Sequence, residues 1–138
     1  MKKISFVIFV AELILAACTT AQPGTPVTGT WHIVSYGPAS NPTPALPDLD
    51  RSVIFDGDGN ISGNVGCNSF SGTYAIEDTK ITFQPMVSTM LACTPDMIMK
   101  QEQATLRILS GSADFKVEGR YLTITNNDET LVMEFSRN

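Results

Sequence analysis

From residue 29 to the C-terminus, turn-forming residues interrupt the chain so often that only one stretch is long enough for a helix. Between the interruptions lie short segments rich in β-branched and aromatic residues, the composition of strands. Residues 29–36, with Trp31, Ile33, Val34 and Tyr36, form the first. Residues 37–50 carry four of the eight prolines and are expected to be loop. Residues 53–55 run into the turn Asp56-Gly57-Asp58-Gly59-Asn60, and residues 61–65 return from it. Residues 69–76 and 80–83 flank a turn at Glu77-Asp78-Thr79. A final meander spans residues 114–117, 121–125 and 130–135, with turns at Glu118-Gly119-Arg120 and Asn126-Asn127-Asp128.

The helical stretch follows Thr94-Pro95-Asp96. Thr94 offers an N-cap hydroxyl, Pro95 fits the first helical position, and Asp96 places a carboxylate on the positive helix end. Residues 97–109 are rich in helix formers, and Gly111 stands just past them as a stop. Ile98, Thr105, Leu106 and Leu109 share one face, with Glu102 on the same stripe. A chain of 138 residues with 43% apolar side chains makes one core and has no room for a second domain. The expected fold is mainly β (α+β): a small antiparallel β-barrel, closed or nearly closed, covered by one α-helix.

The N-terminus reads as an address. Lys2 and Lys3 precede an apolar run, residues 4–17, interrupted by Glu12. These fourteen residues fall short of the ~20 that a spanning helix needs, so an export signal is the better reading. Leu15-Ala16-Ala17-Cys18 resembles the lipobox of bacterial lipoproteins. That resemblance implies removal of residues 1–17 and acylation of Cys18 on its thiol and its new amino group. Two or more acyl chains anchor a protein stably to a membrane. Thr19 rather than Asp after the Cys favours the outer membrane, facing the periplasm. Residues 18–27, with Pro23 and Pro26, read as an extended tether, and residues 28–138 as the folded domain.

Loss of Lys2, Lys3 and Glu12 takes nine basic and fourteen acidic side chains to seven and thirteen, a formal charge of −6. An acidic domain lacks the Lys and Arg surplus that nucleic acid demands. It is repelled by anionic head groups and stands off the membrane that holds it. One His and three Cys are too few for a local zinc site, no cofactor is expected, and no catalytic constellation stands out.

With Cys18 committed to lipid, Cys67 and Cys93 remain in an oxidising compartment. A disulfide between them closes a loop of about 26 residues, worth ~3.5 kcal/mol in the chain-entropy model. Two free buried thiols or a reactive pair are the competing readings. Near Cys67, Gly66 and Gly72 permit positive φ or close backbone approach, and Asn68 can cap exposed backbone or take a left-handed turn. Phe70 and Tyr74 share strand parity and should point together into the core.

These residues also carry a family resemblance. Gly29-Thr30-Trp31, Ile61-Ser62-Gly63, Gly66-Cys67-Asn68-Ser69-Phe70-Ser71-Gly72-Thr73-Tyr74, Ser88-Thr89-Met90-Leu91-Ala92-Cys93 and Glu102 resemble the META domain family of HslJ-like bacterial envelope lipoproteins. The resemblance spans residues 29–135. It implies a barrel-like domain with one helix, attached to the envelope and linked to stress tolerance, including resistance to some antibiotics. No enzymatic activity comes with it.

Sharper sites fare poorly. Asp56, Asp58 and Asn60 match the start of a calcium loop, but Ile61 and Cys67 stand where Gly and a bidentate Glu are needed, so a hairpin turn is preferred. A His32–Cys67 nucleophile pair is set aside because the bridge consumes the thiol. Met86, Met90, Met97 and Met99 flank Cys93 and are expected to fill core rather than bind a ligand or copper. Glu102 is expected to accept hydrogen bonds from loop amides. Three functions remain open. The first is a non-catalytic, monomeric envelope lipoprotein that binds an envelope protein. The second is an inhibitor presenting residues 37–50 to a hydrolase, and the third a lipocalin-like carrier of a small apolar molecule.

Overall fold

A computed structural model describes residues 26–47, 49 and 51–138. The segment expected to be an export signal, Cys18 and most of the expected tether lie outside the described residues. The elements are β1 (Gly29–Pro38), β2 (Thr43–Pro44), β3 (Ser52–Phe55), β4 (Asn60–Asn64), β5 (Ser69–Glu77), β6 (Lys80–Phe83), β7 (Val87–Ser88), α1 (Asp96–Ile108), β8 (Gly111–Glu118), β9 (Tyr121–Asn126) and β10 (Leu131–Ser136). Each strand pairs antiparallel with its neighbours in the order β1-β3-β4-β5-β6-β8-β9-β10, and β10 returns to β1. That last pairing, from His32 opposite Ser136 to Pro38 opposite Leu131, makes a closed eight-strand barrel, the architecture expected from the turn spacing. Closure removes the unpaired edges that an open sheet exposes.

The barrel is solid. Trp31, Phe55, Phe70, Tyr74, Phe83 and Phe135 are buried with Ile61, Ile81, Leu122 and Ile124. A single sheet closed on itself can hide such side chains only inside, so their alternation along each strand fills the interior. Phe70 and Tyr74 both point inward, as their parity requires, and Tyr74 meets Phe55 edge to face at 5.1 Å. Burying each large apolar side chain contributes about 1.5–3 kcal/mol.

The two poles are closed differently. At the proximal pole, where the chain arrives, the Val27 carbonyl accepts the Trp31 indole N–H at 2.6 Å, and the Arg137 guanidinium lies 4.4 Å above the Trp31 ring. The turns joining β3 to β4, β5 to β6 and β8 to β9 surround this pole. At the distal pole α1 acts as the plug, burying Gln101, Glu102, Thr105 and Ile108, with Leu109 just beyond. Among the described residues, every strand of the circuit and the buried core cluster fall between residues 26 and 138.

Three local expectations are corrected. Residues 37–50 are not all loop: β1 runs on to Pro38, and β2 folds back so that Pro44 faces Ser35 and Thr43 faces Tyr36. Proline is tolerated there because the strand is two residues long and at an edge. Thr94 does not cap the helix. Pro95 is the N-cap, in extended conformation and without a side-chain hydrogen bond, and its carbonyl accepts Ile98 N–H at 3.0 Å. A residue before proline is held extended, which leaves Thr94 one position outside the cap. The buried helix stripe is also rotated: Gln101 and Ile108 are buried, whereas Ile98 and Leu106 are half-buried.

Asp56 organises the β3–β4 turn. Its carboxylate accepts Asp58 N–H at 2.9 Å, Asn60 N–H at 2.7 Å and the Asn60 side-chain amide at 2.7 Å. The oxygens that a calcium loop would use are engaged within a hairpin turn. The Asn60 side chain first, then these backbone donors, hold the Asp56 carboxyl below the ordinary carboxylate range. Stability from a depressed pKa is present above the unfolded value and lost as pH falls through the folded one. Asn60→Ala is expected to move the Asp56 midpoint upward, toward ~3.9, in a carboxyl-carbon NMR titration. An unmoved midpoint would disprove the Asn60 contribution.

Candidate functional site: a strap pinned by Asn68 and Glu102

The turn from β4 into β5 lies under α1. A Cβ on Gly66 would sit 2.4 Å from Glu102 Cβ and 2.8 Å from the Ile98 carbonyl, so the helix rests directly on glycine backbone. Close approach, not positive φ, is what this position requires. Gly72 and Gly63 are crowded similarly, by Met86 and by the Ser52 carbonyl.

That contact brings Glu102, 5% exposed, against the chain at Cys67 and Asn68. One carboxylate oxygen accepts Cys67 N–H at 2.7 Å and Asn68 N–H at 2.5 Å; the other accepts the Asn68 side-chain amide at 2.8 Å. Asn68, 3% exposed, uses its side chain completely. Its second amide hydrogen goes to the Leu91 carbonyl at 3.1 Å. Its oxygen accepts Leu91 N–H at 2.7 Å and the Thr89 hydroxyl at 2.8 Å. Glu102 thus accepts bonds from loop amides as expected, and Asn68 caps backbone without leaving ordinary φ. Thr89, chosen only from the motif, proves to be an Asn68 partner.

The disulfide joins Cys67 and Cys93 with their Cα atoms 5.8 Å apart, resolving the choice between bridge and free thiols. It consumes the sulfur that a nucleophilic pair with His32 would have used. Residues 84–95 therefore form a strap fixed at several places. β7 pairs with β5, Thr89 N–H reaches the Ser69 carbonyl at 3.1 Å, Leu91 is held by Asn68, and Cys93 is bonded to Cys67.

At its start Met86 packs against the core; beyond it polar bonds and a covalent link hold the strap, so its later apolar side chains are free to face outward. Val87 is 71%, Met90 96% and Leu91 64% exposed, and Met97 in the first helical turn is exposed as well. This corrects the expectation of core filling for Met90 and Met97, while Met86 does pack against the core. Met86 and Met99 are half-buried, and the fully buried methionine among the described residues is Met133.

Sequence reading missed Gln101. Its side chain is fully buried, donates to the Val65 carbonyl at 3.0 Å and accepts Leu46 N–H at 2.9 Å. Gln101, Thr105 and Ile108 are spaced i, i+4, i+7, so the signal existed but was carried by a polar side chain. Tyr36, beside Leu46, has its phenol pKa pushed up by burial. Among the described residues no three His, Cys, Asp or Glu side chains gather in a metal-binding group.

Fold and node together define a small helix-plugged antiparallel barrel whose disulfide-bonded strap is spliced to the helix by a buried asparagine–glutamate pair. The chain belongs to the META domain family, whose model matches residues 25–138. No protein among the curated ones matches it. It resembles a Burkholderia xenovorans protein solved by NMR, with 18% identity, TM-score 0.67 and coverage of 100% of this chain and 99% of that one. A second NMR structure has 16% identity and TM-score 0.59, over 76% of this chain and 86% of its own. A DUF4847 family protein from Bacteroides vulgatus has 15% identity and TM-score 0.58, over 83% and 95%. At these identities the likeness is one of fold.

Glu102→Ala leaves three buried donors without an acceptor and is expected to cost about 3 kcal/mol in denaturant unfolding. Asn68→Ala should cost a similar amount, and the double variant much less than the sum, because each removes the other's partners. Strict additivity would show that the two do not act as one unit. Cys93→Ser should cost ~3.5 kcal/mol.

Proposed function

We propose that this chain is a non-catalytic lipoprotein of the bacterial envelope that binds another envelope component through its distal pole, in stress or antibiotic tolerance. The observation that carries the reading is Met90, 96% exposed on a strap whose flanking backbone is pinned by Asn68, Thr89 and the disulfide. Large exposed apolar groups on rigid backbone are the anchors that protein interfaces use, and rigidity lowers the ordering cost of binding.

The anchoring part rests on Lys2, Lys3, the apolar run and Leu15-Ala16-Ala17-Cys18. The chain meets the barrel at Val27, at the pole opposite the strap. Acyl chains on Cys18 therefore leave Met90 and Leu91 turned away from the membrane, and the acidic domain reinforces that separation. Membership of the META family supports the link to stress. The hydrolase-inhibitor reading loses its free loop, because the segment after β1 is tied down by Ala39 N–H to Thr130, Ala45 N–H to Val34 and Leu46 N–H to Gln101. A carrier in the lipocalin manner lacks support from an interior filled with aromatic side chains.

Cys18→Ala is expected to shift the protein from the membrane to the soluble fraction; retention would refute the lipid anchor. A photo-crosslinking residue at position 90 should give a discrete adduct in intact cells, and one at position 118, in the proximal turn, should not. Equal labelling from both positions would refute the strap as the docking face.

A further inference from the structure

The distal pole carries a second feature, on the other side of α1, that the strap does not use. The end of β1, β2 and the segment after it face the helix across a groove of about 430 Å³. Tyr36, Pro38, Pro44 and Leu46 make one wall, and Met97 and Ala104 the other. That volume lies within the range of small-molecule sites, about 300–1,000 Å³.

The groove is set in place before any ligand arrives. Gln101, fully buried, spaces its walls: the side-chain carbonyl holds Leu46 N–H at 2.9 Å, while the amide holds the Val65 carbonyl at 3.0 Å. Pairing of Thr43 and Pro44 with β1, and Ala45 N–H on the Val34 carbonyl at 2.9 Å, fix the opposite wall. Proline at two of its positions stiffens that wall further.

Among the described residues, Lys100 is the one charged side chain lining the groove. It makes no ion pair among the described residues. The domain around it holds seven basic and thirteen acidic side chains, a formal charge of −6. An apolar slot with a single cation at its rim complements an apolar chain ending in a single negative charge. A polyanion would be repelled by the acidic chain, and a neutral hydrocarbon would leave Lys100 without a role. We propose that this groove binds a fatty-acid-type anion, its acyl chain between the proline-bearing wall and Met97 and Ala104, its carboxylate on the Lys100 ammonium. The inference stands apart from the strap and from the lipid anchor.

The test uses the full chain with Cys18→Ala, to keep it free of acyl groups, and dodecanoate below its micelle-forming concentration. Calorimetry should show one saturable site, and methyl NMR should show shifts at Met97 and Ala104 with Met90 unmoved. Affinity should fall about fourfold for each methylene removed from the chain. Lys100→Ala should weaken decanoate about fivefold and leave decanol unchanged. Ala104→Trp, which fills the slot, should abolish binding of both, with an unchanged melting curve confirming the fold. Lys100 is exposed, so its variant keeps the test decisive even where Ala104→Trp destabilises the barrel. Shifts confined to Met90, an unchanged decanoate affinity in Lys100→Ala, or the absence of a saturable site would each overturn the proposal.

Discussion

The Glu102 carboxylate sits in the interior without a cation among its hydrogen-bonding partners, and the arrangement of the distal pole follows from how that charge is satisfied. Desolvating a carboxylate costs several kcal/mol. Three N–H donors offset it, each charge-assisted bond contributing about 1.5–3 kcal/mol. Two donors are consecutive backbone amides at Cys67 and Asn68, so the carboxylate fixes the chain's path there and not merely a side chain. The third is Asn68, whose remaining bonds run to Thr89 and Leu91. Helix, β4–β5 turn and strap are thereby joined through two side chains. Apolar contacts alone would let these three segments slide over one another, because the hydrophobic effect is not directional.

The disulfide acts on the same segments by other physics. It removes disordered conformations from the unfolded chain, an effect of ~3.5 kcal/mol for a loop of this length, and says little about the orientation of residues within the loop. Orientation comes from Asn68. The covalent bond at Cys93 and the hydrogen bonds at Thr89 and Leu91 are spaced along one strap, so neither duplicates the other. A strap held in this way needs no apolar burial beyond Met86, which explains Met90 and Leu91 in water beside a well-packed barrel.

The strands were legible because Gly, Asn and Asp mark the turns so densely that little freedom remained in placing them. The barrel then followed from short antiparallel neighbours with one helix between them. Cys67 with Cys93, inward Phe70 and Tyr74, and Glu102 bonded to loop amides were all readable from position and parity. What escaped was whatever depended on tertiary partners. Apolar character alone suggested core for Met90 and Met97, since nothing local says that a strap is anchored by polar bonds elsewhere. Gln101 was passed over because buried polar side chains look like surface ones until their partners at Leu46 and Val65 are known. β2 hid behind its prolines, which bar the middle of a sheet but not a two-residue edge.

A barrel whose interior is filled by its own side chains has only its outside for recognition. Its lateral surface is formed by strands already paired on both sides, which leaves few backbone groups for a partner. Irregular chain therefore collects the opportunities, and it collects them unevenly. The proximal pole is sealed by Val27, Trp31 and Arg137 and ringed by tight turns. The distal pole holds the strap on one side of α1 and the Lys100 groove on the other. Both are rigid for a common reason: Gln101 and Glu102, adjacent on the helix, each bond to a different segment of surrounding chain. One turn of helix thus sets the geometry of two faces, so a change that rotates α1 disturbs both together.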